Sequence, residues 1–298
     1  RMDLAKWVVS KDNPLTSRAF VNRACKLFFG YGLSRRLDDL GGQGEPPTHP
    51  ELLDYLAADF RDNGWDIRRL VKQLVMSGTY RQASLVPQKL QEADPSNFFH
   101  VRQARYRIDA EFVRDTALQV SGLLSKEIGG RSVKPYQPAG YWQHLNFPRR
   151  SWKASQGKDL YRRSLYTFVC RSFPHPAMVA FDAPSREECT AERPRSNIPQ
   201  QALVLLNDPV FVEAARAFGE RIVRENKDDT ARLEWAFREV LTRKPRAKET
   251  TILTKLLETQ KARYQKDEAA AKTLISTGAS SPPTDLKPVE LAAWTTVG

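Results

Sequence analysis

Cysteine, histidine and methionine are scarce in this chain, with three, four and three copies in 298 residues. Cys25, Cys170 and Cys189 leave an odd thiol in any disulfide scheme. They form neither the C-x-x-C of a redox dithiol nor the C-x-x-C-H that attaches haem, and the redox compartment stays open. His49, His100, His144 and His175 are scattered, and none belongs to H-E-x-x-H, so a metal site would need assembly over long range. No apolar run approaches the roughly 20 residues that span a bilayer, so no membrane span is expected. The start at Arg1 lacks the basic, apolar and small-residue succession of a signal peptide, so any export signal lies outside this sequence. Helix-turn-helix, zinc-finger, RRM and P-loop patterns are missing too, as is any repeat of fixed period, which makes nucleic acid an unlikely partner.

What is present is apolar periodicity and positive charge. With 41% hydrophobic and 28% charged residues the chain can bury a core without resembling a disordered protein. Lys and Arg number 47 against 35 Asp and Glu, a net charge of +12.

Helix signals dominate. Asn13-Pro14 precedes a helix ending near Gly30. Thr48-His49-Pro50-Glu51 reads as a capping box before Leu52, Leu53, Leu56 and Phe60. Asp66 caps a helix through Val75, Asp109 starts one through Val120, and Asn197 and Asp208-Pro209 open a helical corner. A further helix carries Trp235 to Leu241, and a long one runs from about Ala247 to Ile275. Ser185 and Glu188 suggest a second capping box. Between Gly129 and Ser185 glycines and prolines interrupt the pattern, and Ser164 to Val169 has strand-like enrichment. Residues 277 to 288 read as an exposed linker, and the helical Glu290 to Trp294 ends so soon that Gly298 reads as a truncation. The expected fold is a mainly α, multi-helical globular domain with an irregular or short-stranded insertion. Its parts are residues 1–128, 129–185, 186–276, and 277–298, a linker with the start of a truncated helix.

The charge is uneven. Residues 131–172 hold nine cations against Asp159 alone, a net of +8. Tyr136, Tyr141, Trp142, Phe147, Trp152, Tyr161 and Tyr166 are interleaved with them. Arginine forks match sulfate, phosphate or carboxylate, and flat rings stack on sugars, so this surface suits an extended polyanion. Candidate ligand-binding residues are Trp142, Arg149, Arg150, Trp152, Lys153, Arg162 and Arg163, joined by the amides Asn197 and Gln201 at the helical corner. The alternative is a solvated loop with inward-packed rings.

A catalytic reading draws on His49 beside Glu51, on Asp109 and Glu111 among Arg105, Arg107 and Arg114, and on Cys189 near Arg186, Arg193 and Arg195. Each has a structural alternative: Glu51 as a cap, the acids as partners of a helix dipole and of arginines, Cys189 as an inert thiol lacking an identified base.

Long blocks of the chain resemble the domain-of-unknown-function 1553 family. They are NPLTSRAFVNRACKLFFGYGL (13 to 33), GQGEPPTHPELLDYLA (42 to 57), GTYRQAS (78 to 84), RIDAEFVRDTALQVSGLL (107 to 124), DLYRRSLYTF (159 to 168), FDAPSREECT (181 to 190), SNIPQQALVLLNDPVFVEAARAFGERI (196 to 222) and ELAAWT (290 to 295). The resemblance implies the carboxyl-terminal part of exported planctomycete proteins, at the periplasm or cell surface, with a cytochrome c domain and a companion domain upstream. It also implies a setting of sulfated polysaccharide processing. No cofactor is expected in this chain, haem belonging to the upstream cytochrome, and those upstream domains are possible docking partners. Where relatives often carry Trp and His before Phe-Gly, this chain has Cys25, Leu27 and Phe28. The resemblance brings no catalytic residues with it. The functions to be weighed are recognition or processing of an anionic polysaccharide, a hydrolase-like or redox-linked enzyme, and a docking module.

Overall fold

The computed structural model describes residues 1–144 and 151–298, which divide into two compact units. Unit 1 comprises residues 1–107 and 190–192, and unit 2 comprises 108–189 and 193–298. Among the described residues there are thirteen α-helices, and pairing between extended segments is limited to two isolated bridges, so the chain is mainly α. The divisions read from composition mark changes of sequence character rather than these units.

In unit 1, α1 (Met2–Val8) buries nothing. The Asn13 side chain then accepts from the N–H groups of Leu15 and Thr16, starting α2 (Thr16–Phe29). Helix α2 buries Val21, Cys25 and Phe29, one residue per turn, against Leu53, Leu56 and Phe60 of α3 (Pro50–Asp62) and Leu70 and Leu74 of α4 (Ile67–Met76). Each fully buried leucine contributes roughly 1.5–3 kcal/mol relative to exposure. Gly30 ends α2 at φ +85°, and any Cβ there would crowd Ala104 and Tyr106. The expected capping box at α3 does not form. With Pro50 in its first turn the helix takes His49 as its cap residue, and the Thr48 hydroxyl turns away to the Leu33 carbonyl and His49 Nδ1. Asp66 caps α4 as expected. Helix α5 (Gln88–Ala93) leads into a cross-braced loop, residues 94–102.

Unit 2 is organised around α9 (Pro209–Glu225), which packs on α6 (Ala110–Ser121), on α8 (Pro199–Asn207) and above all on α13 (Pro288–Val297). Helix α7 (Pro176–Ala180) bridges α6 and α8, while α10 (Asp229–Leu241), α11 (Ala247–Lys266) and α12 (Glu268–Ile275) close the other side. The single long helix expected from Ala247 to Ile275 is two. Asp267 leaves helical geometry at ψ +79° and caps α12 through the Ala270 N–H, so its side chain competes with continuation of the helix. Asp208 caps α9, but Asn197 is exposed and leaves the capping of α8 unfilled.

Residues 277–287 are a strap rather than a free linker. Buried Glu213 accepts from the N–H groups of Ala279 and Ser280 and from the Ser280 hydroxyl, while buried Arg216 holds the carbonyls of Ser280 and Ser281. The following helix, read as a fragment after a linker, lies at the centre of the core, with Leu291, Ala292, Ala293 and Trp294 wholly inaccessible. Gly219 makes this possible, since a Cβ on α9 at that point would press to 3.0 Å from the Thr295 nitrogen.

The segment between α6 and α7 carries three 3-10 turns, Tyr141–His144, Gly157–Tyr161 and Ser164–Tyr166. The strand-like stretch from Ser164 to Val169 is therefore a turn followed by one bridge, Thr167 to Val133.

Candidate functional site

The aromatic residues of unit 2's irregular segment converge. Trp142 and Trp152 stack with ring centroids 5.3 Å apart and planes 20° apart, and Phe173 lies 5.4 Å from Trp142. Both indole N–H groups are committed, Trp142 to the Gln137 side-chain oxygen and Trp152 to the Pro135 carbonyl at 2.8 Å. Trp142 is buried and Trp152 half-buried, so the pair is a stiff shelf with one accessible member. It lines a cavity of about 240 Å³ together with Gln137, Gly140, Gln143 and Ser151. The Lys134 ammonium lies 5.5 Å from the Trp152 ring centre. The sequence reading of Trp142 and Trp152 overlooked Gln137 and Gln143, although the run QPAGYWQ places amides directly beside the indole.

Behind Trp152 sits His175, edge-on at 6.4 Å and buried, with Nε2 on the Tyr136 carbonyl at 2.8 Å. A carbonyl accepts only, so Nε2 carries the proton and Nδ1 holds a buried lone pair without a partner. Burial pushes the His175 pKa down to about 4, assisted by the nearby Arg114 charge and opposed by the Tyr136 bond.

The cations of the segment do not act as a set. Arg162 is buried, and its guanidinium donates to the carbonyls of Glu127, Gly129 and Arg131 while stacking 3.9 Å from the Tyr166 ring centre. It is an internal brace, because three carbonyls and a ring leave no face for a ligand. Arg163 is half-buried beside the same ring, 5.8 Å from its centre. Lys153, Arg131, Lys158 and Arg171 are exposed. Arg149 and Arg150 lie outside the described residues.

At the start of α6, Asp109, Glu111 and Arg193 come together. Arg193 grips Glu111 through both nitrogens at 2.6 and 3.2 Å and lies 3.6 Å from Asp109. Burial alone would raise the Glu111 pKa, but the Arg193 bonds and the charges of Arg193 and Arg186 overcome it and hold Glu111 below the usual carboxylate range. Glu111 is thus a fixed anion that ties the loop before α8 to α6, and offers no proton to a reaction at neutral pH. The same loop is pinned by Asp182, which accepts from the backbone and hydroxyl of Ser196, and by buried Gln201, which donates to the Ser196 carbonyl at 3.2 Å. The expected helix start at Ser185 is a turn in which the hydroxyl accepts from Glu187 N–H. Arg186, Cys189 and Asn197 are exposed. Deeper in α6, Arg114 is buried and donates to the carbonyls of Leu160 and Arg162. Burial pulls its pKa down to about 10, against the favourable charges of Asp115 and Asp208.

His49 and Glu51 belong to unit 1. Glu51 is exposed, whereas His49 lies with its ring 6.5 Å from that of His100 and 6.3 Å from Phe99. His100 is buried, and burial, followed by the charges of His49 and Arg35, lowers its pKa. The six residues of the catalytic reading are therefore shared between two units; in unit 2 the Arg186 charge acts on Glu111, while Asp109 meets Glu111 through their common partner Arg193. Cys25 is buried and its thiol pushed up to about 12, an inert state. Among the described residues no group of three His, Cys, Asp or Glu side chains could hold a metal ion, and no helix is long and apolar enough to cross a membrane.

Searches of curated proteins and of solved structures return no match. A protein family, by contrast, matches residues 1–257: the chain belongs to the PSD1 family, described as protein of unknown function (DUF1553).

Proposed function

We propose that this chain recognises an anionic polysaccharide, with the Trp142–Trp152 shelf as the sugar-binding element. The observation that carries this reading is the half-buried Trp152, locked by its indole N–H and its stacked neighbour, beside a cavity edged by Gln137, Gln143 and Ser151. A rigid ring face binds the apolar side of a sugar at little cost in side-chain entropy, and amides and hydroxyls match its hydroxyl groups. Lys134 and exposed Lys153 supply local positive charge, and Arg149 and Arg150 add to it in sequence. Arg162 and Arg163 support the shelf's own segment rather than the ligand. The location that goes with this function is the periplasm or the surface of a planctomycete cell, with haem carried by the cytochrome domain of the parent protein.

Affinity electrophoresis through gels containing sulfated or neutral polysaccharides tests the proposal. Retardation by the sulfated polymer, weakened by salt and by Trp152→Ala, is the expected result. Equal mobility in both gels rejects it.

A further inference from the structure

Unit 1 contains a second cleft of different character. Its volume is about 290 Å³, at the small end of ligand sites, and its walls include Tyr31, Ser84, Gln91, Arg102, Gln103 and Arg105. Arg102 and Arg105 are among its lining residues, with Ser84, Gln91 and Tyr31, and no Asp or Glu is; Arg102 and Gln103 spend their side chains on backbone carbonyls, which leaves Arg105 as the open cation. Of the acids close by in sequence, Glu92 accepts from Gln88 at 2.7 Å, and Asp94 is turned into its own loop, accepting the N–H groups of Phe98 and Phe99 at 2.6 and 2.9 Å.

The wall is built to hold still. Arg102 reaches back to the carbonyls of Asp94 and Pro95, while its backbone is clamped on both sides by the Asn97 amide. Arg35 holds the Ser96 carbonyl with its guanidinium 4.3 Å from the Tyr31 ring centre. Asn97 and His100 both sit in left-handed backbone, φ +52° and +54°, which an Asn or His adopts at a cost that the cross-bracing offsets. Arg105, by contrast, is exposed and has no ion-pair partner among the described residues.

We infer that this cleft binds a monosaccharide-sized polyol bearing one oxyanion group, with the oxyanion on Arg105 and the hydroxyls on Gln91, Ser84 and the neighbouring backbone. The guanidinium fork matches the planar pair of oxygens of a carboxylate or the face of a sulfate ester, and the absence of lining acids favours an anion over a cation. The inference is independent of the tryptophan shelf, since all of its residues lie in unit 1.

The test titrates the whole chain with glucose 6-sulfate, glucuronate, glucose and inorganic sulfate while following backbone amide NMR shifts. Saturable shifts at residues 84–86, 96–97 and 102–105 are expected with the first two. Binding of glucose and of inorganic sulfate should be at least tenfold weaker. Arg105→Glu should weaken glucose 6-sulfate binding at least tenfold and Arg105→Gln several-fold, and Lys248→Glu, an equal charge change on exposed α11, should leave it unchanged. Because Arg105 is exposed, an unaltered melting temperature separates lost binding from lost fold. Equal binding of glucose or of inorganic sulfate, shifts confined to other residues, no saturable shift, or an Arg105→Glu variant that binds as before overturns the inference.

Discussion

The Tyr161 hydroxyl donates to Glu213 Oε1 at 2.7 Å, joining the irregular segment of unit 2 to the second turn of α9. The same oxygen receives the N–H groups of Ala279 and Ser280, so one buried carboxylate fastens two chain segments to one helix.

Glu213→Ala should therefore be among the most damaging single changes. It leaves the Tyr161 hydroxyl and two backbone donors without an acceptor and Arg216 with an uncompensated buried charge, a loss of about 3–5 kcal/mol. Tyr161→Phe should cost only about 1 kcal/mol, since it removes one partner of a carboxylate that keeps three donors. Urea denaturation of both variants checks the order. Gly278→Ala should behave like a milder Glu213 lesion, because Gly278 has φ +107° and a Cβ there would overlap the Glu213 side chain.

Two cations of the basic segment should separate stability from binding. Arg162→Ala removes donors to three carbonyls in a buried setting and should cost on the order of 2–4 kcal/mol, seen as a lowered denaturation midpoint. Lys153→Ala, at an exposed position, should change stability by less than about 0.5 kcal/mol while reducing retardation by a sulfated polymer.

Removing the accessible ring while keeping its bulk apolar distinguishes stacking from packing. Trp152→Leu should preserve most of the stability yet weaken glycan binding, because leucine offers no flat face to the apolar side of a sugar. A Trp152→Leu chain that binds as tightly as the original would place the ligand elsewhere.

His175 makes stability depend on pH. Its folded pKa of about 4 lies below the ordinary value of 6.5, so the unfolded chain takes up a proton first. The stability it confers is complete above pH 6.5, declines as pH falls, and is gone below about 4, an effect of up to about 3 kcal/mol. His100, also depressed, adds a slope of the same sign. Urea midpoints measured between pH 7 and 4 should fall less steeply for His175→Gln than for the unaltered chain.

The helix framework was legible where a side chain acts within a few residues of itself: Asn13, Asp66 and Asp208 announce their helices because a cap is a local bond. Asp267 was missed because an Asp inside a helical pattern reads equally as a solvated residue or as a break. The basic segment was visible as charge, but charge does not reveal direction. Arg162 turns inward because carbonyls up to 35 residues away in the chain converge on it, and that convergence is absent from any short window. The two indoles could be named but not paired, since their stacking is a contact that no short sequence pattern announces. The strap at 277–287 looked like a linker for the same reason: its anchors are 64 to 67 residues distant.

Core completion in unit 2 depends on a distant partner. Helix α13 fills the space over α9 from roughly seventy residues further along the chain, a high-contact-order pairing in a helical protein. During synthesis the apolar face of α9 emerges long before residues 288–297 exist to cover it. Unit 1, whose helices α2, α3 and α4 are near neighbours in sequence, can close its core while the ribosome is still at work. Unit 2 must wait with Phe218 and Ile222 open to water, so of the two units it is the one that more needs shielding from aggregation.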